Sequence, residues 1–157
     1  MQKVPMTLVG FERLEVELKR LKGQERPSII KALEEARAHG DLSENAEFHA
    51  AKERQAFIES RIIELESKIS AAQVIPTADL SGKTVMFGAT VTVYDEEDDL
   101  ERKLQIVGED EADIKLNLLS VQSPLARSLI GKEVGDTVEV NTPSGGKTYE
   151  LLKVDWK

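Results

Sequence analysis

The stretch "ARAHGDLSENAEFHAAK", Ala36–Lys52, separates two long runs of helical periodicity and decides how the chain is organised. Upstream, Leu8, Phe11, Leu14, Leu18 and Leu21 recur at spacings of three and four, and Ile29, Ile30, Leu33 and Ala36 resume the pattern past Pro27. Downstream, Ile58, Ile62, Leu65, Ile69 and Ala72 step by 4, 3, 4 and 3, the heptad spacing of a helix seam. Two such runs joined by a short turn are expected to fold back on each other as a long antiparallel α-helical coiled-coil hairpin. With Thr7 as N-cap, the first run to Ala38 would span ~45–50 Å at ~1.5 Å per residue. Pro27 falls inside it, so a kink or local break is expected near Gly23–Pro27. The turn at Gly40 would then lie far from the rest of the protein.

From about Thr77 the texture changes. "PTADLSGK" reads as a linker, and "KTVMF", "ATVTVY", "KLQIV", "NLLSV", "DTVEV" and "TYELLKV" read as strands. The acidic run Asp95–Glu101 reads as a solvated loop between two of them; it lacks the mid-loop Gly and ligand spacing of a calcium loop. "SPLARSLIG" predicts one short helix with Ser123 as N-cap, Pro124 at its first position and Gly131 ending it. "NTPSGGK" predicts a hairpin turn. The expected class is α+β, with a twisted antiparallel β-sheet against one short helix in the second domain. The expected boundaries are 1–75, a linker at 76–82, and 83–157.

Composition narrows the function. The formal charge is −8, with 32% charged residues, 4% aromatic residues and no cysteine. Met1–Ile75 carries 12 Lys or Arg against 13 Asp or Glu, a net of −1; Pro76–Lys157 carries 9 against 16, a net of −7. The acidity belongs to the second half, so a free basic DNA binder is not expected, while the nearly neutral first half can approach a nucleic acid. Few aromatics argue against a deep ligand cavity, and disulfides and thiolate metal sites are excluded. With no apolar signal core in "MQKVPMTLVG" and no span of membrane length, a soluble cytoplasmic protein is expected.

The turn holds the candidate chemistry. Gly40 can end the first helix at positive φ. Asp41 and Glu44 then suit the N-cap and third position of the second helix, close to a capping box. Alternatively the two carboxylates bind a divalent cation such as Mg²⁺, which favours oxygen ligands. An exposed pair cannot exclude water, so it would complete a site in a partner that supplies the metal and a phosphodiester. His39 and His49 add a third option, a transition-metal site with Asp41 or Glu44. These readings stay open on the residues alone.

"EARAHGDLSENAEFHAAKERQ", followed in order by "FGATVTV", "IVGEDEAD", "SVQSPLARSLIGKEVGD" and "TPSGG", resembles the bacterial Gre transcript-cleavage factors over essentially the whole chain. The modest charge is more similar to the GreA branch of that family than to the more basic GreB branch. The resemblance implies a coiled-coil hairpin followed by an FKBP-like domain that binds RNA polymerase. The hairpin would enter the polymerase secondary channel and stimulate cleavage of the 3′ end of backtracked nascent RNA. It implies no enzyme in its own right: Asp41 and Glu44 would be catalytic in trans, sharing Mg²⁺ with the polymerase active site. Arg37 and Lys52 flank the turn and would contact the RNA backbone, since Lys and Arg supply the sequence-independent part of such binding. Ser123 and Pro124 match a segment that docks on the polymerase. A monomer in the free state, with no bound metal of its own, is expected. Ser43 stands where relatives carry a basic residue, and Phe48 where they carry an aromatic. Two rival functions are a prolyl isomerase, for which this half offers only Phe87, Tyr94, Tyr149 and Trp156 as pocket aromatics, and a non-catalytic channel-occupying regulator or coiled-coil holdase.

Overall fold

The computed structural model describes residues 2–40, 45–76 and 81–156. Its contacts divide the chain into two units: Phe11–Ala72, and Gln2–Gly10 together with Gln73–Lys157. The class is α+β.

The first unit is helical. Helix α1 (Leu8–Arg20) runs through a π-helical turn (Leu21–Glu25) into α2 (Arg26–Arg37), and α3 (Ala46–Ala71) packs alongside. Thr7 caps α1 as expected: its hydroxyl accepts from the Gly10 N–H at 3.1 Å. Leu14, Leu21, Ile29, Leu33 and Ala36 are buried from one side of the seam, and Ala51, Ile58, Ile62 and Leu65 from the other. Leu8 and Ile30, which share the sequence pattern, are exposed instead, because each sits beside the stripe rather than on it. Arg61 forks onto Glu17 (2.7 and 2.9 Å), and Arg26 onto Glu59 (2.9 and 2.7 Å). Lys22 pairs with Glu66 at 3.0 Å and Arg54 with Glu25 at 3.1 Å. Partners of residues 17–22 lie at 61–66 and those of 25–26 at 54–59, so the two segments run antiparallel. The Arg61 hydrogen bonds hold the Glu17 carboxyl below its ordinary range.

The irregularity expected near Gly23–Pro27 is a π turn at Leu21–Glu25; the helix does not break. Arg20, Glu25 and Arg26 all keep right-handed helical angles, and the Arg26 N–H donates to the Leu21 carbonyl, five residues back. A proline in a regular helix clashes with the carbonyl four residues earlier and offers it no N–H. One π turn just upstream loosens the helix there without ending it. Gly23 sits in this turn with open space where a Cβ would go. Gly23→Ala is therefore expected to stabilise the protein by about 0.5–1 kcal/mol, read as a raised urea midpoint.

The second unit has two sheets. β1 (Val4–Met6) pairs with β2 (Ala72–Val74), and the Ile75 N–H donates to the Met6 carbonyl at 2.9 Å. The main sheet comprises β3 (Thr90–Asp95), β4 (Leu100–Val107), β5 (Leu118–Ser120), β6 (Thr137–Thr142) and β7 (Gly145–Asp155), in the order β5-β4-β3-β7-β6. Helix α4 (Pro124–Leu129) contributes Ala126 and Leu129 to a core with Val85, Val91, Val93, Ile106 and Leu151. Glu111 closes on residues 2–10: its carboxylate accepts from the Thr7 and Gly108 N–H groups at 2.9 and 2.8 Å, and from the Thr7 hydroxyl. Any side chain at Gly10 would strike that carboxylate, and one at Gly108 would strike the Pro5 carbonyl, 2.4 Å away.

Three expectations for this half are corrected. "KTVMF" is not a strand: Thr84 makes one isolated bridge to Glu133, and Val85 exchanges hydrogen bonds with Gly131 and Lys132. Positive-φ glycines at 82 and 88 close the segment on both sides, leaving no length for a ladder. The sheet is not wholly antiparallel, since β4 and β5 pair in parallel. The connection between them runs through two 3₁₀ turns, Glu109–Glu111 and Ile114–Leu116, which reverse the chain twice. Asp95, the first residue of the acidic run, is fully buried rather than solvated. It ends β3 and accepts from the Glu97 and Asp98 N–H groups at 3.1 and 3.2 Å, with Arg102 and Lys147 each 3.4 Å from its other oxygen.

Candidate functional site

Asp41 and Glu44 lie outside the described residues. The first residue of α3 is Ala46, and its N-cap is Asn45, whose side-chain oxygen accepts from the Phe48 N–H at 3.1 Å. The capping-box reading of Asp41 and Glu44 falls outside the described residues; within them, α3 takes its cap from Asn45, one residue beyond Glu44. Asn45 also donates through Nδ2 to the Ala36 carbonyl at 2.7 Å. One amide thus links two helix ends: it accepts from an N–H in the first turn of α3 and donates to a carbonyl in the last turn of α2, which also accepts from the His39 N–H at 3.2 Å. Gly40 takes φ +105°, as expected for a residue that ends a helix. Asn45→Ala is expected to cost about 1–2 kcal/mol and to accelerate hydrogen exchange at the Phe48 amide.

The structure brings Arg37 and Lys52 together. The Arg37 guanidinium carbon and the Lys52 ammonium nitrogen both lie 5.9 Å from the centroid of the Phe48 ring. Arg37 ends α2, while Phe48 and Lys52 stand one turn apart on α3, so residues of two helices form one cationic cluster. His49 meets the Phe48 ring edge-on at 5.8 Å, and His39 lies 4.0 Å from Glu47. Among the described residues no group of three or more His, Cys, Asp or Glu comes together to hold a metal. The donor chemistry of the Asp41–Glu44 pair fits a hard, oxygen-seeking cation such as Mg²⁺, but two carboxylates fill at most part of an octahedral shell.

Ser123 and Pro124 belong to the other unit. The Ser123 hydroxyl donates to the Ser120 carbonyl at 2.7 Å and accepts from the Ala126 N–H at 3.2 Å. It is the N-cap of α4, as expected, and Pro124 stands exposed at the first helical position. A groove of about 460 Å³ in the same unit is lined by Leu100, Ile114, Leu125 and Tyr149, among others. Of the four aromatic side chains weighed for an isomerase pocket, only Tyr149 lines it. Sequence reasoning missed the role of Asn45. The signal was there: an N-cap residue directly before "AEFHAAKERQ", an uninterrupted helical pattern.

The two units each correspond to a known family region. The family model of the transcription elongation factor N-terminal region matches residues 4–74, and that of the GreA/GreB transcription elongation factor C-terminal region matches residues 80–155. The chain belongs to the GreA/GreB family of transcription elongation factors. It is 62% identical over 156 residues to the transcription elongation factor GreA of Caulobacter vibrioides, covering 99% of each chain. It is 60% identical over 156 residues to that of Phenylobacterium zucineum, again covering 99% of both. Among solved structures, the GreA factor homolog 1 (Gfh1) protein of Thermus thermophilus is 28% identical, covering 98% of this chain and 99% of that one, with a TM-score of 0.45. Among the described residues, no helix is long and apolar enough to cross a membrane.

Proposed function

We propose that this elongation factor acts in the cytoplasm as a monomer that stimulates transcript cleavage by RNA polymerase, without being an enzyme itself. Its helical unit is an antiparallel coiled-coil hairpin that enters the secondary channel. Its second unit, an FKBP-like domain, docks on the polymerase through the segment that carries Ser123 and Pro124. Mg²⁺ at the polymerase's own active site supplies Lewis-acid activation of the phosphodiester and of the attacking water. Asp41 and Glu44 add carboxylate oxygens to the second of these cations and help orient that water. Arg37 and Lys52 hold the backbone of the extruded RNA 3′ end through charge-assisted hydrogen bonds to phosphate.

One observation carries this reading. The helical unit gathers onto the Phe48 ring two cations, Arg37 and Lys52, that stand in sequence on either side of the Asp41–Glu44 acid pair. Cations flanking two carboxylates in the sequence suit a ligand with both phosphates and a metal. The test is to add the protein to a stalled, backtracked elongation complex carrying end-labelled RNA. Shortened RNA above the factor-free control is expected, and so is renewed synthesis on adding nucleotides. If the RNA stays full length while the protein still binds the polymerase, the factor is a channel-occupying regulator instead.

A further inference from the structure

We propose that Phe48 is a positioning residue, whose ring holds Arg37 and Lys52 as a preformed pair of cations for one stretch of RNA backbone. This rests on the cleavage reading above and adds a residue to it. Long basic side chains on a helix surface are normally free to sample many rotamers, and ordering one on binding costs conformational entropy. Here both are drawn to the negative face of one aromatic ring, each 5.9 Å from its centroid. The geometry is built from below. At this end of the seam the buried apolar side chains are alanines, Ala36 and Ala51, which carry no bulk to hold the helices apart. Asn45 fixes the first turn of α3 by accepting from the Phe48 N–H itself, and ties it to α2 through the Ala36 carbonyl. Phe48 is half-buried, and the cationic groups of Arg37 and Lys52 are on exposed residues. Like charges repel, so a ring that attracts both offsets part of the cost of holding them close.

The alternative role for Phe48 is a lid over the seam that the cations merely border. Leucine would serve as such a lid, whereas only an aromatic serves as a cation platform. Phe48→Leu is therefore expected to lower stimulated cleavage about tenfold, the effect of removing two exposed cation–π interactions. Phe48→Tyr keeps the ring and is expected to retain wild-type cleavage. Cleavage by wild type should weaken with added salt. Phe48→Leu should flatten that dependence by roughly 0.7 in the log–log slope for each phosphate the cations no longer neutralise. In the Phe48→Leu background, Arg37→Gln with Lys52→Gln should then add little further loss.

A measurement on the free protein separates the platform from the function. NMR should show the Lys52 Hε and Arg37 Hδ protons shifted upfield by the ring in wild type and Phe48→Tyr, and unshifted in Phe48→Leu. Absence of those shifts in wild type overturns the platform. If they are present but the losses from Phe48→Leu and from the two cation variants simply add, the ring does not act through the cations and the proposal fails. If wild type stimulates no cleavage at all, the cleavage reading falls and takes the RNA half of this proposal with it, while the NMR result still decides the platform.

Discussion

Asp41→Asn and Glu44→Gln should each lower stimulated RNA cleavage roughly 10- to 100-fold, the scale on which metal sites respond to altered ligands and their supports. Each replacement keeps the size of the side chain and removes its charge, so an oxygen remains but it attracts a cation far less. What makes the experiment decisive is the position of the helix cap. The N-cap of α3 is Asn45, whose side chain accepts from the Phe48 N–H, and neither change touches it. The urea midpoint of both variants should match wild type, and both should still compete with it for polymerase. Loss of cleavage at unchanged stability isolates the chemistry of the carboxylates. Cleavage that survives in both variants, or a stability loss of the size a missing cap produces, would end the metal reading.

A second large effect is expected at Asp95, far along the chain in the sheet-containing unit. Asp95→Ala should destabilise the protein by about 2–3 kcal/mol, seen as a lowered urea midpoint. Two part-buried hydrogen bonds, from the N–H groups of the exposed residues Glu97 and Asp98, are lost at about 1 kcal/mol each. The ion pairs to Arg102 and Lys147 also disappear, but those cations are 43% and 26% exposed, which limits their share. The pH dependence has a definite sign. Burial pushes the Asp95 carboxyl up, yet the Asp98 N–H together with Lys147 and Arg102 outweighs it, and the carboxyl titrates below 3.8 in the folded protein. Its stabilising contribution is fully present above that value and disappears as the pH falls through the lower folded-state value. Asp95→Asn keeps an acceptor for the two N–H groups but cannot titrate. The stability gap between wild type and Asp95→Asn should therefore be constant above about pH 5 and narrow on acidification below 4. A gap that does not change with pH would show that the charge of Asp95 contributes nothing.

What the chain reveals before folding depends on the range over which each signal acts. The helical seam was legible because heptad spacing records burial locally, and Leu14, Leu21, Ile58, Ile62 and Leu65 fall where that spacing puts them. The α4 cap and the β6–β7 turn were legible for the same reason, since Ser-Pro and Ser-Gly-Gly act within four residues. Composition misled at Asp95. The run Asp95–Glu101 looks solvated by charge, but the alternation of Val91 and Val93 carries on to Asp95 and turns it inward. Two cations from other positions then compensate for its burial, which no local pattern records. The parallel β4–β5 pairing and the Glu111 contact with Thr7, 104 residues away, are likewise non-local. At the candidate site, Arg37 and Lys52 were legible as flanking cations. That one ring collects both was not, because Arg37 and Phe48 meet only once α2 and α3 are side by side.

The π turn at Leu21–Glu25 sets an angle. Buried residues step by seven from Leu14 to Leu21, by eight from Leu21 to Ile29, and by seven again from Ile29 to Ala36. The wide turn absorbs the surplus residue; in a regular helix that residue would rotate everything after it by ~100° about the axis. Arg37 lies one residue beyond Ala36, so its azimuth, and with it the meeting with Phe48, is dialled in some twelve to sixteen positions upstream.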